Sequence, residues 1–214
     1  MGNIQKEGGG DMSKFDMAAL TWDEKPMRVN IAQNVANTIK KHVPLNKDMK
    51  LLDFGCGTGL LTFFLLNDVK EAVGVDTSKG MCEVFTKKAQ DNNLDNVRVF
   101  NIDLTKEDLN EKFDVIVSSM SLHHVKDTQQ ILKKFYKLLN EGGYIAIADL
   151  VKEDGTFHDD NEGVEHFGFD LDTLKSMFEN AGFKDVKYDI AYTVKKEREG
   201  QIKEYPIFLM VGRK

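Results

Sequence analysis

The sequence predicts an α/β fold in which a doubly wound, mostly parallel sheet ends in a C-terminal antiparallel hairpin. Short apolar runs alternate with amphipathic segments over residues 49–148, which is the pattern of βαβ units with right-handed crossovers. A glycine-rich turn at 55–59 joins the first of these runs to a helix. Two further strand-like runs, 183–194 and 204–212, flank the charged stretch 195–200, which predicts a reversing turn and therefore antiparallel pairing.

The composition is that of one globular domain spanning residues 1–214. Hydrophobic residues make up 41% and charged residues 30% of the chain, which allows a substantial core. The net charge of −6 argues against a nucleic-acid partner and gives no support for an anionic membrane surface. Cys56 and Cys82 require no disulfide, and no apolar run suits a secretory core or a membrane span, so we expect a cytoplasmic protein.

The N-terminal part of the chain predicts a leader followed by a cap. Residues 1–14 begin as a polar, glycine-containing stretch and are expected to be a disordered leader. Aromatic content returns over 15–46, where apolar residues at helical spacing predict a helix from 26 to 42 with Pro26 in its first turn. Trp22 and this helix either pack on the sheet or also cover a binding site, and the two interpretations are compatible.

The predicted core, residues 47–150, holds five strands and three helices. The expected strands are 49–54, 72–75, 97–101, 113–117 and 144–148. The first expected helix follows the glycine turn and ends near residue 67, the second spans 78–92 and the third spans 127–139. Gly142 and Gly143 are expected to stop the last of these helices. Over 151–214 we expect a lid, a helix and the hairpin: 153–168 is polar and unpatterned, and a helix over 171–181 ends at Gly182.

The stretch from Leu51 to Gly59 reads Leu-Leu-Asp-Phe-Gly-Cys-Gly-Thr-Gly and predicts a cofactor site. Glycine tolerates positive φ and lets a ligand approach the backbone closely, whereas an ordinary strand–turn–helix connection normally needs one glycine. The third glycine comes one residue earlier than in the dinucleotide pattern G-x-G-x-x-G, and no Lys-Ser/Thr follows, which excludes a P-loop.

Asp53, Gly55, Gly57 and Gly59 match position for position the motif D/E-x-G-x-G-x-G, the first motif of the class I S-adenosylmethionine-dependent methyltransferases. The chain resembles that family over about residues 49–150. The resemblance implies S-adenosylmethionine as cofactor and a Rossmann-like seven-stranded sheet with strand order 3-2-1-4-5-7-6. Within the family the chain looks most similar to the small-molecule branch typified by quinone-biosynthesis methyltransferases.

Two more acids follow predicted strands, and both fit the resemblance. Asp76 can accept hydrogen bonds from the ribose hydroxyls of a nucleoside, or it is simply an acid favoured at a helix start. Asp103 and Leu104 occupy the place where the resembled family binds adenine, and a solvated loop acid is the alternative. The cofactor-binding residues that we expect are Asp53, Gly55, Cys56, Gly57, Gly59, Asp76, Thr77, Asp103, Leu104 and Ser119.

The paired histidines His123 and His124 follow the fourth strand, at the edge where open α/β sheets hold ligands. Relatives that methylate small molecules carry a similar Leu-His-His stretch there, and the signatures of amino-group and cytosine methylation on bases are absent. Both histidines are candidate catalytic bases, since histidine titrates near neutral pH. We assign His123 to packing on the cofactor side and His124 to the substrate side; purely structural packing is the alternative.

The predicted lid is rich in histidine and acidic residues, namely His158, Asp159, Asp160, Glu162, Glu165 and His166. Such side chains can hold divalent metal ions. Their spacing matches no metal motif, so we predict no metal site and favour a loop that gates the substrate.

These features predict an S-adenosylmethionine-dependent methyltransferase that acts on a small molecule by in-line displacement. Positioning contributes about 7–11 kcal/mol to such a reaction and a general base about 3–5 kcal/mol, so no catalytic triad is needed. The alternatives are a non-catalytic S-adenosylmethionine-binding or scaffold protein and an NAD-dependent oxidoreductase. The partners we expect are a small-molecule methyl acceptor, no nucleic acid and no membrane, with the protein a monomer or homodimer.

Overall fold

The structure, a computed structural model, describes residues 13–214 and contains a seven-stranded sheet with strand order β3-β2-β1-β4-β5-β7-β6. The strands are β1 Lys50–Phe54, β2 Glu71–Asp76, β3 Val97–Asn101, β4 Phe113–Ser119, β5 Leu139–Leu150, β6 Lys184–Arg198 and β7 Gln201–Arg213. The first five strands pair in parallel, and β7 is antiparallel to both β5 and β6. The predicted fold class and the strand order implied by the resemblance are confirmed.

Within residues 13–214, six α-helices connect or cover these strands. They are α1 Lys14–Ala18, α2 Pro26–His42, α3 Leu60–Leu65, α4 Lys79–Asp91, α5 Thr128–Leu138 and α6 Leu171–Ala181, with 3₁₀ turns at Ala19–Glu24, Leu66–Asp68 and Leu122–His124. Pro26 lies in the first turn of α2, and Gly182 ends α6 in the left-handed region at φ 110°. Over residues 13–214 no helix is long and apolar enough to cross a bilayer.

Several predicted boundaries differ from the structure. The hairpin strands run through most of the charged stretch 195–200, because residues such as Lys195 and Glu204 pair across the ribbon, and the turn is confined to residues 199–200. β5 begins at Leu139, which pairs with Phe113, so Gly142 and Gly143 lie within a strand instead of stopping a helix. Ser13 caps α1 and Lys14 lies in it; the rest of the expected leader, residues 1–12, lies outside the described residues.

Helices cover both faces of the sheet. The side chains of α5 and α6 pack on one face, and those of α2 and α3 pack on the other. Leu51 and Leu52, consecutive residues of β1, belong to opposite faces and are both fully buried. This explains why the central strands are apolar at nearly every position instead of alternating.

The strand order reverses between β1 and β4, which are neighbours in the sheet although β2 and β3 separate them in the chain. In open α/β sheets a crevice forms outside the carboxyl ends of the strands at such a reversal. β1, β2 and β4 therefore direct the segments that follow Phe54, Asp76 and Ser119 into one crevice.

The first prediction concerns Gly74, in the middle of β2. A Cβ atom there would lie 2.7 Å from both Cys56 Sγ and Phe85 Cε1, whereas a Cβ at Gly212 in β7 would meet Phe183 Cβ at 3.1 Å. We expect Gly74→Ala to lower the free energy of unfolding by about 1–3 kcal/mol through overpacking, and Gly212→Ala to lower it by less. Urea denaturation of the two variants measures this difference. Equal losses would contradict the packing explanation.

Candidate functional site

A cavity of about 1330 Å³ lies at the carboxyl ends of β1, β2 and β4. It brings together most of the residues that the sequence predicts for the site: Asp53, Gly55, Cys56, Gly57, Asp76, Thr77, Asp103, Leu104, Ser119, His123 and His124. Gly59 is the exception, since it does not line the cavity. Segments that are far apart in the sequence therefore converge on one site.

The three glycines of the turn are required for three different reasons. All have positive φ: 67° at Gly55, 53° at Gly57 and 86° at Gly59. A Cβ at Gly55 would lie 2.2 Å from Ser121 Oγ, so the segment after β4 can pack here only because residue 55 has no side chain. At Gly57 the nearest atom to a Cβ is Met81 Sδ at 4.0 Å, so the backbone faces open space in the cavity. Gly59 is the N-cap of α3, where the left-handed backbone conformation favours glycine.

Asp53 is the buried acid at the end of β1. It is 1% exposed, and its carboxylate accepts a hydrogen bond of 2.6 Å from the Thr62 hydroxyl in α3. Burial raises the pKa of Asp53 to about 7, and the nearby charge of Asp76 adds to this rise while the Thr62 hydrogen bond opposes it. The carboxyl can therefore hold or release a proton near neutral pH.

Asp76 ties the glycine turn to the start of α4. Its Oδ2 accepts from the Gly57 N–H and its Oδ1 from the Ser78 N–H, each at 2.8 Å. Burial raises its pKa, and these backbone hydrogen bonds counteract the rise. Asp76 is thus an acid at a helix start, as one interpretation expected, and it also lines the cavity, where each carboxylate oxygen has a further lone pair for a ligand.

Asp103 lies in the turn after β3, where its Oδ1 accepts from the Thr105 N–H at 3.0 Å and its Oδ2 pairs with Lys106 at 2.8 Å. Burial alone would raise its pKa, but the hydrogen bonds from Lys106 and Thr105 outweigh it and the pKa is lowered. Leu104 is 1% exposed and lies on the cavity wall. This pair offers a charged edge and an apolar surface next to each other.

The N-terminal segment is fastened to the glycine turn and to α4. Asp16 Oδ1 accepts from Ser78 Oγ and from the Gly80 N–H, each at 2.7 Å, and these bonds lower the pKa of Asp16 to about 2. Asp23 accepts from Thr58 Oγ1 at 2.6 Å and from Lys88 Nζ at 2.7 Å. These contacts hold the aromatic rings of the segment on the cavity wall, where α2 also packs on the sheet.

His123 and Asp149 form a buried pair between β4 and β5. His123 Nδ1 lies 2.8 Å from Asp149 Oδ1, and the His123 backbone N–H donates to Oδ2 at 3.0 Å. The Leu150 N–H also donates to Oδ1, at 2.7 Å. Burial would raise the pKa of Asp149, but the interactions with His123 outweigh it and the pKa is lowered. An ionised Asp149 accepts the proton of His123 Nδ1 in a hydrogen bond and so fixes the orientation of the ring.

His123 Nε2 is buried without a hydrogen-bond partner among residues 13–214. The same holds for Nε2 of His158, whose ring centroid lies 4.9 Å from that of His123. Burial lowers the pKa of His158 to about 4, and the charges of His123 and His124 lower it further. Both residues line the cavity, so two buried nitrogens without a protein partner lie in its wall.

His124 is held differently. Its Nδ1 donates to the Gly163 carbonyl at 2.7 Å, and its ring meets the Phe15 ring edge-on at 5.5 Å between centroids. Burial and the neighbouring His123 lower its pKa. One nitrogen of His124 is therefore committed to the backbone of the loop after β5.

That loop, residues 153–168, packs on the 3₁₀ turn Leu122–His124, which we call the histidine turn. The backbone N–H groups of Glu165 and His166 donate to the His123 carbonyl at 2.9 and 3.1 Å. His166 Nε2 lies 2.9 Å from the Val125 carbonyl, and Phe157 is buried. These contacts place His158 in the cavity wall. Within residues 13–214 no three His, Cys, Asp or Glu side chains are grouped as metal ligands.

Sequence reasoning missed Asp149, because the fifth strand was expected to end at residue 148. The signal was present, since Ala148-Asp149-Leu150 places one acid at the carboxyl end of an apolar strand, as at Asp76. It also missed the stacking of the Arg28 guanidinium on Trp22, at 3.4 Å from the ring centroid.

Comparison with known proteins identifies relatives of this chain. A family model described as a methyltransferase domain matches residues 45–197. An uncharacterized methyltransferase of Schizosaccharomyces pombe is 33% identical over 195 residues, covering 83% of this chain and 65% of that protein. A ubiquinone biosynthesis O-methyltransferase of Pelagibacter ubique is 32% identical over 168 residues, covering 71% and 68%. The chain thus spans about two thirds of the length of these relatives.

A solved structure of similar fold is phosphoethanolamine N-methyltransferase 2 of Haemonchus contortus in complex with S-adenosyl-L-methionine. The TM-score is 0.70 at 14% sequence identity, covering 95% of this chain and 60% of that one. At this identity the likeness shows the fold alone.

The pKa of Asp53 generates the second prediction. The carboxyl ionises near pH 3.8 in the unfolded chain and at about 7 in the folded one. The folded protein therefore holds an extra proton between these values, and its free energy of unfolding falls as the pH rises through this window. We expect Asp53→Asn to remove this fall, which amounts to at most about 4 kcal/mol.

Urea denaturation of wild type and variant at several pH values between about 4 and 8 measures the difference. Asp48→Asn, a change at an exposed acid, serves as the control and should follow the wild type. An unchanged pH dependence in Asp53→Asn would show that this carboxyl is ionised throughout.

Proposed function

The chain belongs to the methyltransferase domain family, and on that premise we propose that it transfers a methyl group from S-adenosylmethionine to a small-molecule acceptor. One observation carries the proposal. The open glycine turn with its flanking acids lines the same cavity as His123, and Asp149 holds the His123 ring from behind the cavity wall. A cofactor site and a site for proton transfer therefore adjoin.

The cavity residues suit this cofactor. The backbone at Gly57 is open to close approach, and the Asp76 carboxylate can accept hydrogen bonds from ribose hydroxyls. Asp53 can take a negative charge beside a cationic ligand, since its pKa is about 7. For the adenine ring of the cofactor, Asp103 offers a hydrogen-bond acceptor and Leu104 offers an apolar surface. S-adenosylmethionine, when bound, supplies an electrophilic methyl group on a sulfonium.

His123 is the residue best placed to accept a proton from the methyl acceptor. Asp149 orients its ring through Nδ1, and its Nε2 has no protein partner. His124 has one nitrogen bonded to Gly163 and its ring against Phe15, which suits a residue that shapes the cavity. We therefore assign proton transfer to His123 and packing to His124, the reverse of the roles that the sequence suggested.

We propose a small acceptor because it must bind inside a cavity that several segments enclose together. These segments are the N-terminal segment, the histidine turn and the loop after β5. The quinone-like branch rests on the resemblance and on one relative among others with different acceptors. A non-catalytic binding protein would share the cofactor residues but would not need the His123–Asp149 pair.

The third prediction tests the cofactor. Isothermal titration is expected to show binding of S-adenosylmethionine and S-adenosylhomocysteine and none of NAD. Asp76→Ala should weaken both by about 10- to 150-fold, because it removes charge-assisted hydrogen bonds worth about 1.5–3 kcal/mol. Asp91→Ala, at the other end of α4, is the control. Tighter binding of NAD than of either sulfur compound would overturn the proposal.

The fourth prediction tests the base. Acceptors are first found by screening small nucleophiles for production of S-adenosylhomocysteine. In His123→Gln an amide can still donate to Asp149 but cannot take up a proton, so kcat should fall by about 10²- to 10⁴-fold. His124→Ala should lower kcat by less than about 100-fold, since His124 is assigned to packing and takes up no proton in the proposed reaction. A larger loss in His124→Ala than in His123→Gln, with both variants folded and binding cofactor, would reverse the assignment.

A further inference from the structure

Four basic side chains of the cavity lining form no ion pair with an acid of residues 13–214. One is Lys126, and the other three lie at the start of α2 and in β6. These three are Lys25, Arg28 at the start of α2 and Lys196 in β6, and we call them the cationic wall. The whole chain carries a net charge of −6, so acidic partners are plentiful. A cluster of cations without such partners is therefore unexpected here.

Arg28 is partly buried and uses few of its donors. Its guanidinium carbon lies 3.4 Å from the centroid of the Trp22 ring, and its Nη1 donates to the Trp22 carbonyl at 3.2 Å. A guanidinium has five N–H donors, so most of them stay free for a ligand. Burial lowers the pKa of Arg28, which expresses the free-energy cost of keeping this charge out of water.

Lys196 is held against Phe157. Its Nζ lies 4.2 Å from the ring centroid and donates to the Phe157 carbonyl at 2.6 Å. Burial lowers the pKa of Lys196; Asp159 raises it, while the positive charges of Lys25 and Arg28 lower it further. Lys25 and Arg28 thus act on Lys196 in the same direction as burial, and a bound anion would oppose both effects.

Neighbouring basic residues of the same hairpin show the contrast. Arg198 pairs with Asp159 at 2.7 Å, and Lys195 pairs with Glu204 at 2.8 Å. Lys195 and Lys196 are adjacent in one strand, so their side chains point to opposite sides of the ribbon. Only Lys196 of the two lines the cavity.

The cationic wall adjoins the reacting end of the cavity. Phe157, which holds Lys196, is followed by His158, and the charge of Lys196 lowers the pKa of His158. The His158 ring lies 4.9 Å from that of His123, and Nε2 of each has no partner among the described residues. His123 is 1% exposed, so its unpartnered nitrogen is a second, independent sign of a ligand at this end.

We propose that the cationic wall binds an oxyanion of the methyl acceptor, either a carboxylate or a phosphate. The acceptor is then a small anionic molecule whose acidic group lies against Arg28 and Lys196 while its nucleophilic atom faces His123. Asp159, the acid of the cavity lining that acts on Lys196, is paired with Arg198 at 2.7 Å. This inference rests on the proposed function for the identity of the ligand.

The test uses Trp22, the only tryptophan of the chain, which lies under Arg28. Its fluorescence is followed while inorganic phosphate, benzoate or uncharged benzamide is added at constant ionic strength to protein saturated with S-adenosylhomocysteine. We expect saturable changes with one or both anions and none with benzamide. Arg28→Gln and Lys196→Gln should each weaken the anion by about 10- to 150-fold, whereas the matched control Lys195→Gln should not.

Three outcomes would overturn the inference. In the first, neither anion binds more tightly than benzamide. In the second, Lys195→Gln weakens the anion as much as Lys196→Gln does, which would show only general charge attraction. In the third, calorimetry shows that Arg28→Gln and Lys196→Gln weaken S-adenosylhomocysteine as much as the anion, so that the wall holds the carboxylate of the cofactor instead.

The readout needs no methyl transfer, so it separates this inference from the proposed function. Failure of the wild type to bind S-adenosylhomocysteine would remove the proposed cofactor. The same titrations on the free protein would then decide by the same criteria whether the wall binds an oxyanion. Because Arg28→Gln also alters the packing of Trp22, Lys196→Gln provides the second variant.

Discussion

The pairing of β1 with β4 at the point where the strand order reverses is the constraint on which the site depends. Ser118 Oγ donates to the Phe54 carbonyl at 2.8 Å, and Ser121 Oγ donates to the Gly55 carbonyl at 3.1 Å. These bonds draw the segment after β4 so close to the glycine turn that Gly55 has no room for a side chain. The histidine turn is thereby held beside the open backbone of Gly57, and the two halves of the site form one cavity.

Two buried carboxyls behave oppositely, Asp53 in the cavity wall and Asp149 behind His123, and the difference suits their proposed roles. Asp53 has one hydroxyl donor and a nearby acid, so burial dominates and its pKa rises to about 7. Asp149 accepts from two backbone N–H groups and lies beside the His123 ring, so its pKa is lowered despite full burial. Asp53 can therefore gain charge when a cationic ligand arrives, whereas Asp149 is charged in advance and orients His123.

The N-terminal segment joins the proposed cofactor side to the proposed acceptor side. Asp16 and Asp23 fasten it to the start of α4 and to Thr58, and Arg28 continues the same segment onto the cationic wall. Packing on the sheet and covering the cavity are thus two consequences of one arrangement. A change in this segment is expected to affect both sides, which is why the experiments above measure cofactor and anion separately.

The sequence by itself determined the elements and the nature of the glycine turn, because both depend on residues within a few positions of each other. Strand and helix periodicity needs only local side chains, and the positive φ values of the turn need only glycine. The full strand order was predicted only because the motif of the glycine turn resembles that of the class I methyltransferases. Boundaries were wrong where distant pairing extends a strand, as with Lys195 opposite Glu204.

Only the tertiary structure shows the hydrogen-bond partners of the two histidines and the reasons for each glycine. His123 and Asp149 are 26 residues apart, and His124 reaches a carbonyl 39 residues away, so sequence spacing could not tell which ring keeps a free nitrogen. Arg28 and Lys196 likewise meet only because α2 and β6 line the same cavity. Hydrogen bonding, burial and charge pairing depend on distances in space, which local sequence patterns do not contain.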